Sequence, residues 1–266
     1  MGAEIVGIVN LTEDSFSDGG RFVDEKAAIA HGERLLAQGA GWLDLGAESS
    51  NPDGRAVPAD LEIERLRPVL AHFVRQGARV SIDTHKPQVM RAVLDLGAAM
   101  INDITAAGDP EAARALAGST VPVVIMFARN GGVRAERALQ SHQGLIEEII
   151  AFFEQRLRVL AERGIARERL ILDPGMGFFL GSNPEPSLFV LKHFGALAAL
   201  GRPLYVSTSR KSFIGTLVGK PPGERTSGTL ATELWALAHG ASYVRTHDAG
   251  ALGEAWRLWR AIADVE

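Results

Sequence analysis

Eight short apolar runs recur along the chain with helix-like stretches between them, and no other feature restricts the fold so strongly. The runs are EIVGIVN at 4–10, WLDL at 42–45, RVSID at 79–83, MINDI at 100–104, VPVVIM at 121–126, LILD at 170–173, LYVS at 204–207 and YVRT at 243–246. The intervening stretches, such as EKAAIAHGERLLAQG, DLEIERLRPVLAHFVRQG and LIEEIIAFFEQRLRVLAERG, carry apolar residues at helical spacing and end in Gly. Such alternation predicts βα units around a parallel sheet. A doubly wound open sheet would alternate in the same way, but its GxGxxG after the first strand is missing. No low-complexity linker divides the 266 residues, and the patches NPDGRAVP and GKPPGE fall after a strand or inside a βα connection. The expectation is an α/β fold, a single (β/α)8 TIM barrel spanning 1–266 as one domain, close to the usual length of about 250 residues.

Composition narrows the function classes. A formal net charge of −4 and the absence of a long basic run argue against a nucleic-acid partner. With no cysteine, a disulfide framework, a thiolate nucleophile and a Cys-bound zinc are excluded. The segment MGAEIVGIVN has no basic stretch before a long apolar core, and no run approaches the roughly 18 residues that span a bilayer. No membrane partner and a cytoplasmic location are therefore expected.

In such a barrel the carboxyl ends of the strands form the reaction face. Polar residues collect there: Asn10, Asp44, Asp83, Asn102 with Asp103, Asp173, Ser207 with Ser209, and Arg245 with His247. Only the fifth run, ending in Met126-Phe127, contributes nothing polar at once. One Asp after a strand is more often a turn-former or a helix cap than a ligand contact, and Asp83-Thr84 and Asp103 could each act as caps. Seven ends of eight favour a site. In ILDPGMGFFLG at 171–181, Asp173 aims into the mouth while Pro174 and Gly175 turn the chain away.

Asp83, Asn102 and Asp173 supply acceptors and an amide fork without a histidine cluster, a set that suits a flat heterocycle with several N–H donors. Left without a partner, each buried acceptor would cost about 1–3 kcal/mol. Arg210 and Lys211 of STSRKSFIG, with Arg245 and His247 of VRTHD, gather cations after strands seven and eight, where barrels commonly bind phosphate. TEDSFSDGGRF, with Gly19-Gly20 between Phe16 and Phe22, predicts one mobile cover, and NPDGRAVP a second. The histidines at 31, 72, 85, 142, 193 and 239 receive no role.

The ordered blocks GIVNLTEDSFSDGG, DLGAESSNPDG, SIDTHKPQV, INDI, ILDPGMGF, STSRKSFIG, SGTLA and VRTHD make the chain resemble the dihydropteroate synthases of the pterin-binding barrel superfamily, from about Gly7 to Asp248. The resemblance implies a catalytic set of Asp83, Asn102, Asp173, Lys211, Arg245 and His247. Of these, Asp83, Asn102, Asp173 and Lys211 would hold the pterin ring. Asn10, Arg245 and His247 would face the pyrophosphate and its Mg2+, with Asn10 as the metal ligand. Ser50 would lie near the aminobenzoate, with Ser209 and Phe178 lining the same pocket and Met126, Gly177, Phe179 and Arg210 completing the substrate-binding set. The implied reaction joins p-aminobenzoate to 7,8-dihydropterin-6-methyl pyrophosphate, and the implied assembly is a homodimer. Electron donation from the pterin stabilises a methylene cation, so charge stabilisation matters more than a strong base. A methyltetrahydrofolate-binding methyltransferase domain and a pterin binder without turnover are the competing expectations.

Departures from the family pattern are as informative. The second loop, commonly near GGESTRPG, reads GAESSNPDG, so its Arg becomes Asn51, and Arg55 or Arg21 would have to replace it. The Met-His pair after strand five becomes Met126-Phe127, and GFGK after strand six becomes GFFLGSNPEPS. These segments are similar to those of sulfonamide-insensitive synthases carried on mobile resistance elements. Aromatic bulk at Phe178 and Phe179 would narrow the aminobenzoate pocket, and a steric misfit of that kind is worth about 1–3 kcal/mol.

Overall fold

The computed structural model describes residues 2–12 and 25–265. The first predicted cover, with Phe16, Gly19, Gly20, Arg21 and Phe22, falls on 13–24 and lies outside them. Among the described residues the order is β1 (Glu4–Asn10), α1 (Glu25–Ala37), β2 (Trp42–Gly46), α2 (Ala59–Arg75), β3 (Val80–Asp83), α3 (Pro87–Asp95), β4 (Met100–Asp103), α4 (Pro110–Ala117), β5 (Val123–Met126) and α5 (Leu145–Glu162). There follow β6 (Leu170–Asp173), α6 (Glu185–Lys192), β7 (Tyr205–Val206), α7 (Ser212–Val218), α8 (Thr226–Ala238), β8 (Tyr243–Thr246) and α9 (Ala249–Ala263). All neighbouring strands pair in parallel, in the order β6-β5-β4-β3-β2-β1-β8-β7. A bridge between Leu172 and Leu204 joins the two edges and closes the (β/α)8 barrel.

The seventh run is shorter as a strand than LYVS promised. Leu204 is spent on the closing bridge, and the Pro203 carbonyl accepts the Leu172 N–H at 2.9 Å. The predicted Asp83 cap is also not what starts α3: its N-cap is Lys86, Pro87 follows, and the Thr84 hydroxyl accepts the Lys86 N–H at 3.3 Å. True side-chain caps stand at Asp109 before α4 and Asp248 before α9.

Period-2 alternation sorts the strand residues into two compartments. Leu43, Leu45, Val80, Ile82, Ile101, Val123, Ile125, Leu172 and Val244 belong to the main core that packs the sheet against the helices. Val6, Trp42, Met100, Val124, Ile171 and Tyr205, from the alternate positions, form a separate plug. Arg79 lies 4.7 Å from the centre of the Trp42 ring and pairs with Glu4 at 2.9 Å. With this apolar plug beneath them, the next inward positions are free to be polar. Among the described residues no helix is long and apolar enough to cross a membrane.

Gly32 of α1 illustrates how tightly the helix layer is packed. A Cβ there would come within 2.4 Å of the buried Phe73 ring and 3.1 Å of Leu43. Alanine would gain about 1 kcal/mol of helix propensity, but overpacking costs typically 1–3 kcal/mol. Gly32→Ala should therefore lower the thermal midpoint, and a raised midpoint would contradict this packing.

Candidate active site

A cavity of about 850 Å³ opens at the carboxyl ends of the strands, within the size range of small-molecule sites. Its wall includes Asn10, Ser50, Asp83, Phe178, Phe179, Ser209, Arg210, Lys211, Arg245 and His247 from the expected set. Asn102, Asp173, Met126 and Gly177 are buried around that wall. Of the two replacements suggested for the missing loop Arg, Arg21 is outside the described residues and Arg55 does not line the cavity.

The acceptors are organised by charges from across the barrel. Arg245 Nε donates to Asp44 Oδ2 at 2.6 Å and Arg245 Nη2 to Asp83 Oδ2 at 3.2 Å. Asn102 Nδ2 donates to the same Asp44 oxygen at 3.3 Å, an amide orientation that leaves its carbonyl oxygen as an acceptor. Arg245 thus spends its described contacts on interior carboxylates. Burial opposes its charge, but Asp44 and Asp83 outweigh burial and raise its pKa. Asp173 is a turn-former, its Oδ1 accepting the Gly175 N–H at 2.8 Å, and the residue is buried. Burial pushes its carboxyl up to about 6, against the pull of the Gly175 N–H, Lys211 and Arg245. The Asp83 carboxyl is raised to about 7, again by burial, with Arg245 acting in the opposite direction. Asp103, in contrast, is used up locally, accepting from Thr105 N–H, Thr105 Oγ1 and Ala107 N–H.

The anion side lies at the ends of β7 and β8. Ser209 Oγ stands 2.8 Å from His247 Nδ1 and accepts the His247 backbone N–H at 3.2 Å. In the tautomer where the Ser209 hydroxyl donates to Nδ1, Nε2–H is left as the free donor. Burial, followed by the charges of Arg210, Arg245 and Lys211, lowers the His247 pKa to about 3. Its imidazole is neutral at pH 7 and can donate to an anion without adding a third cation beside Arg210 and Lys211. Burial also lowers the Lys211 pKa, while Asp173 and Asp83 support its charge.

Lys211 Nζ lies 5.3 Å from the centre of the Phe179 ring, which packs with Ile104, Met126 and Ala135. Arg137 lies 5.7 Å from the Phe178 ring centre and forms a bidentate pair with Asp53 of the second loop. The Ser50 carbonyl accepts the Ala135 N–H at 3.0 Å, so the loops after β2 and β5 meet beside the cavity.

Sequence reasoning passed over Arg137, Ser212 and the interior use of Asp44. Ser212 lines the cavity with a buried hydroxyl that has no hydrogen-bond partner among the described residues, and its place next to Lys211 was a usable signal. Arg137 gave none, being 84 positions from Asp53. Among the described residues no group of three or more His, Asp or Glu side chains could hold a metal ion by itself. A Mg2+ ion held from Asn10 on the wall would therefore take most of its other ligands from water and a bound phosphate, a common arrangement for this ion.

The family model described as pterin binding enzyme matches residues 6–247. A dihydropteroate synthase type-2 of Escherichia coli is 44% identical over 264 residues, covering 98% of this chain and 96% of that protein. Dihydropteroate synthase from Xanthomonas albilineans, solved with 4-aminobenzoic acid, superposes with a TM-score of 0.92 at 38% identity, covering 100% of this chain and 94% of that one. The same enzyme in complex with 7,8-dihydropteroate gives a TM-score of 0.87 at 37% identity, covering 100% and 95%. The chain belongs to the pterin binding enzyme family, among its dihydropteroate synthases.

Proposed function

We propose that the chain is a transferase of folate biosynthesis that joins p-aminobenzoate to 7,8-dihydropterin-6-methyl pyrophosphate, forming 7,8-dihydropteroate and releasing pyrophosphate. The observation that carries the reading is one cavity with buried acceptors near its floor and Arg210, His247 and Asn10 on its wall. A methyl carrier or a binder without turnover has no use for the second group.

In this reading Asp83, Asn102 and Asp173 accept from the N–H edge of the pterin and orient its methylene carbon. The C–O bond to pyrophosphate breaks, the leaving group takes the electron pair, and Arg210 with His247 Nε2–H holds the charge that develops. The aniline nitrogen then attacks the methylene carbon and loses its proton to solvent. Lys211, between Phe179 and the floor carboxylates, shields the ring's far side from water. The unpartnered Ser212 hydroxyl and Arg137 are donors available to the aminobenzoate carboxylate. Asn10 would hold a Mg2+ ion arriving with the pyrophosphate, and such an ion offsets leaving-group charge when bound. Phe178 and Phe179 form the narrow wall that admits p-aminobenzoate and rejects larger sulfonamides. The exposed Leu217, Val218, Trp235, Leu258, Trp259 and Ile262 of α7, α8 and α9 provide an apolar face for a homodimer.

Purified protein given both substrates and Mg2+ should release pyrophosphate, and absence of turnover with pterin bound would overturn the assignment. Protonating a floor carboxylate removes an acceptor, so kcat/KM for the pterin substrate should fall as the pH drops through about 7 to about 6, where Asp83 and Asp173 titrate. A flat profile down to pH 5 would remove those carboxylates from pterin binding. Phe179→Gly should tighten sulfamethoxazole inhibition by about tenfold or more relative to the KM for p-aminobenzoate. An unchanged ratio would end the aromatic-wall explanation.

A further inference from the structure

In the synthase reading the consecutive Arg210 and Lys211 serve opposite ends of the cavity, and the backbone at Arg210 is unusual. Arg210 has φ +59°, in the left-handed region that residues other than glycine rarely occupy. Such a conformation persists only where the surroundings impose it. Here Arg210 N–H donates to Thr229 Oγ1 at 3.0 Å, and Arg225 Nη1 donates to the Arg210 carbonyl at 2.8 Å and to the Lys211 carbonyl at 3.2 Å. Thr232 Oγ1 donates to the Thr229 carbonyl at 2.8 Å and is hydrogen-bonded to Thr208 Oγ1 at 2.9 Å, fixing the start of the same turn. Two glycines make the close approach possible: a Cβ on Gly228 would meet Ile214 at 2.5 Å, and one on Gly215 would meet the Arg225 guanidinium at 2.1 Å.

The SGTLA block, Ser227 to Ala231, therefore has a use that substrate contact alone does not supply. We infer that Thr229 is a positioning residue: with Arg225 it brackets the Arg210 backbone in the left-handed state, so that Arg210 serves the pyrophosphate end while Lys211 serves the pterin end. This inference rests on the synthase reading for the identity of the anion. Thr229 is 5% exposed, so its hydroxyl acts through Arg210 rather than on substrate.

The test compares Thr229→Val, which keeps the shape and removes the hydroxyl, with Thr229→Ser, which restores it. Inorganic pyrophosphate with Mg2+ is titrated calorimetrically into each protein, and KM is measured for each substrate. Thr229→Val should weaken pyrophosphate binding and raise the KM for the pterin pyrophosphate by about tenfold each, the scale of one lost hydrogen bond. The KM for p-aminobenzoate should stay within about twofold of its original value by the same conversion, and Thr229→Ser should recover the loss. Glycine adopts the left-handed turn without strain, so in an Arg210→Gly background Thr229→Val should cost nothing further in pyrophosphate affinity. Retained pyrophosphate affinity in Thr229→Val, equal losses for both substrates, or an undiminished cost in the Arg210→Gly background would each overturn the inference. If the parent protein binds pyrophosphate but turns nothing over, the synthase reading fails while the affinity comparison still decides the role of Thr229.

Discussion

The guanidinium of Arg245 spans the interior of the barrel, from β8 past β1 to carboxylates on β2 and β3, and the floor of the site depends on it. Asp44 is fully buried, and an unpaired carboxylate there would carry a desolvation penalty of several kcal/mol. Arg245 supplies the partner, and the Asp44 oxygen that accepts from it also orients Asn102. Asp83 is drawn inward by the other arm of the guanidinium, which is why it does not cap α3. One cation thus sets three of the polar groups below the mouth.

How much of this could be read from the sequence follows from the range of each interaction. The barrel was legible because period-2 strands and 3.6-period helices are local signals repeated eight times. Asn10, Asp83, Asn102, Asp173, Lys211 and His247 were legible because they stand at strand ends, where the topology itself brings them together. Asp44 and Arg245 are 201 positions apart, and no local pattern says that they pair. The left-handed turn at Arg210 was equally hidden, since neither Gly nor Asn marks it. Arg137 comes from a long connection whose approach to the second loop depends on tertiary packing alone.

The second loop is held at both ends by charge. At its base, Lys86 lies between Glu48 and the almost fully buried Glu62, and the Glu48 carboxylate also accepts the Val57 N–H at 3.1 Å. The Glu48 pKa is lowered: burial would raise it, but the Lys86 ammonium and that backbone N–H prevail. Farther out, Asp53 meets Arg137 in the open, where solvent screening leaves an ion pair weak. The base is therefore firm and the tip is lightly tethered, which suits a segment beside an opening that must admit and release ligands.

The seam between β6 and β7 separates the two halves of the cavity. On one side Asp173 continues from β6; on the other, Ser209, Arg210 and Lys211 continue from β7. The Leu172–Leu204 bridge, the bond to the Pro203 carbonyl and a bond from Arg202 Nε to the Leu170 carbonyl at 3.1 Å stitch the sheet there. Outside it, Trp235 Nε1 of α8 reaches over to the Leu191 carbonyl of α6 at 2.8 Å. The spacing between Asp173 and Arg210 is thus braced from outside as well as within the sheet, like the gap of a clamp steadied by its frame.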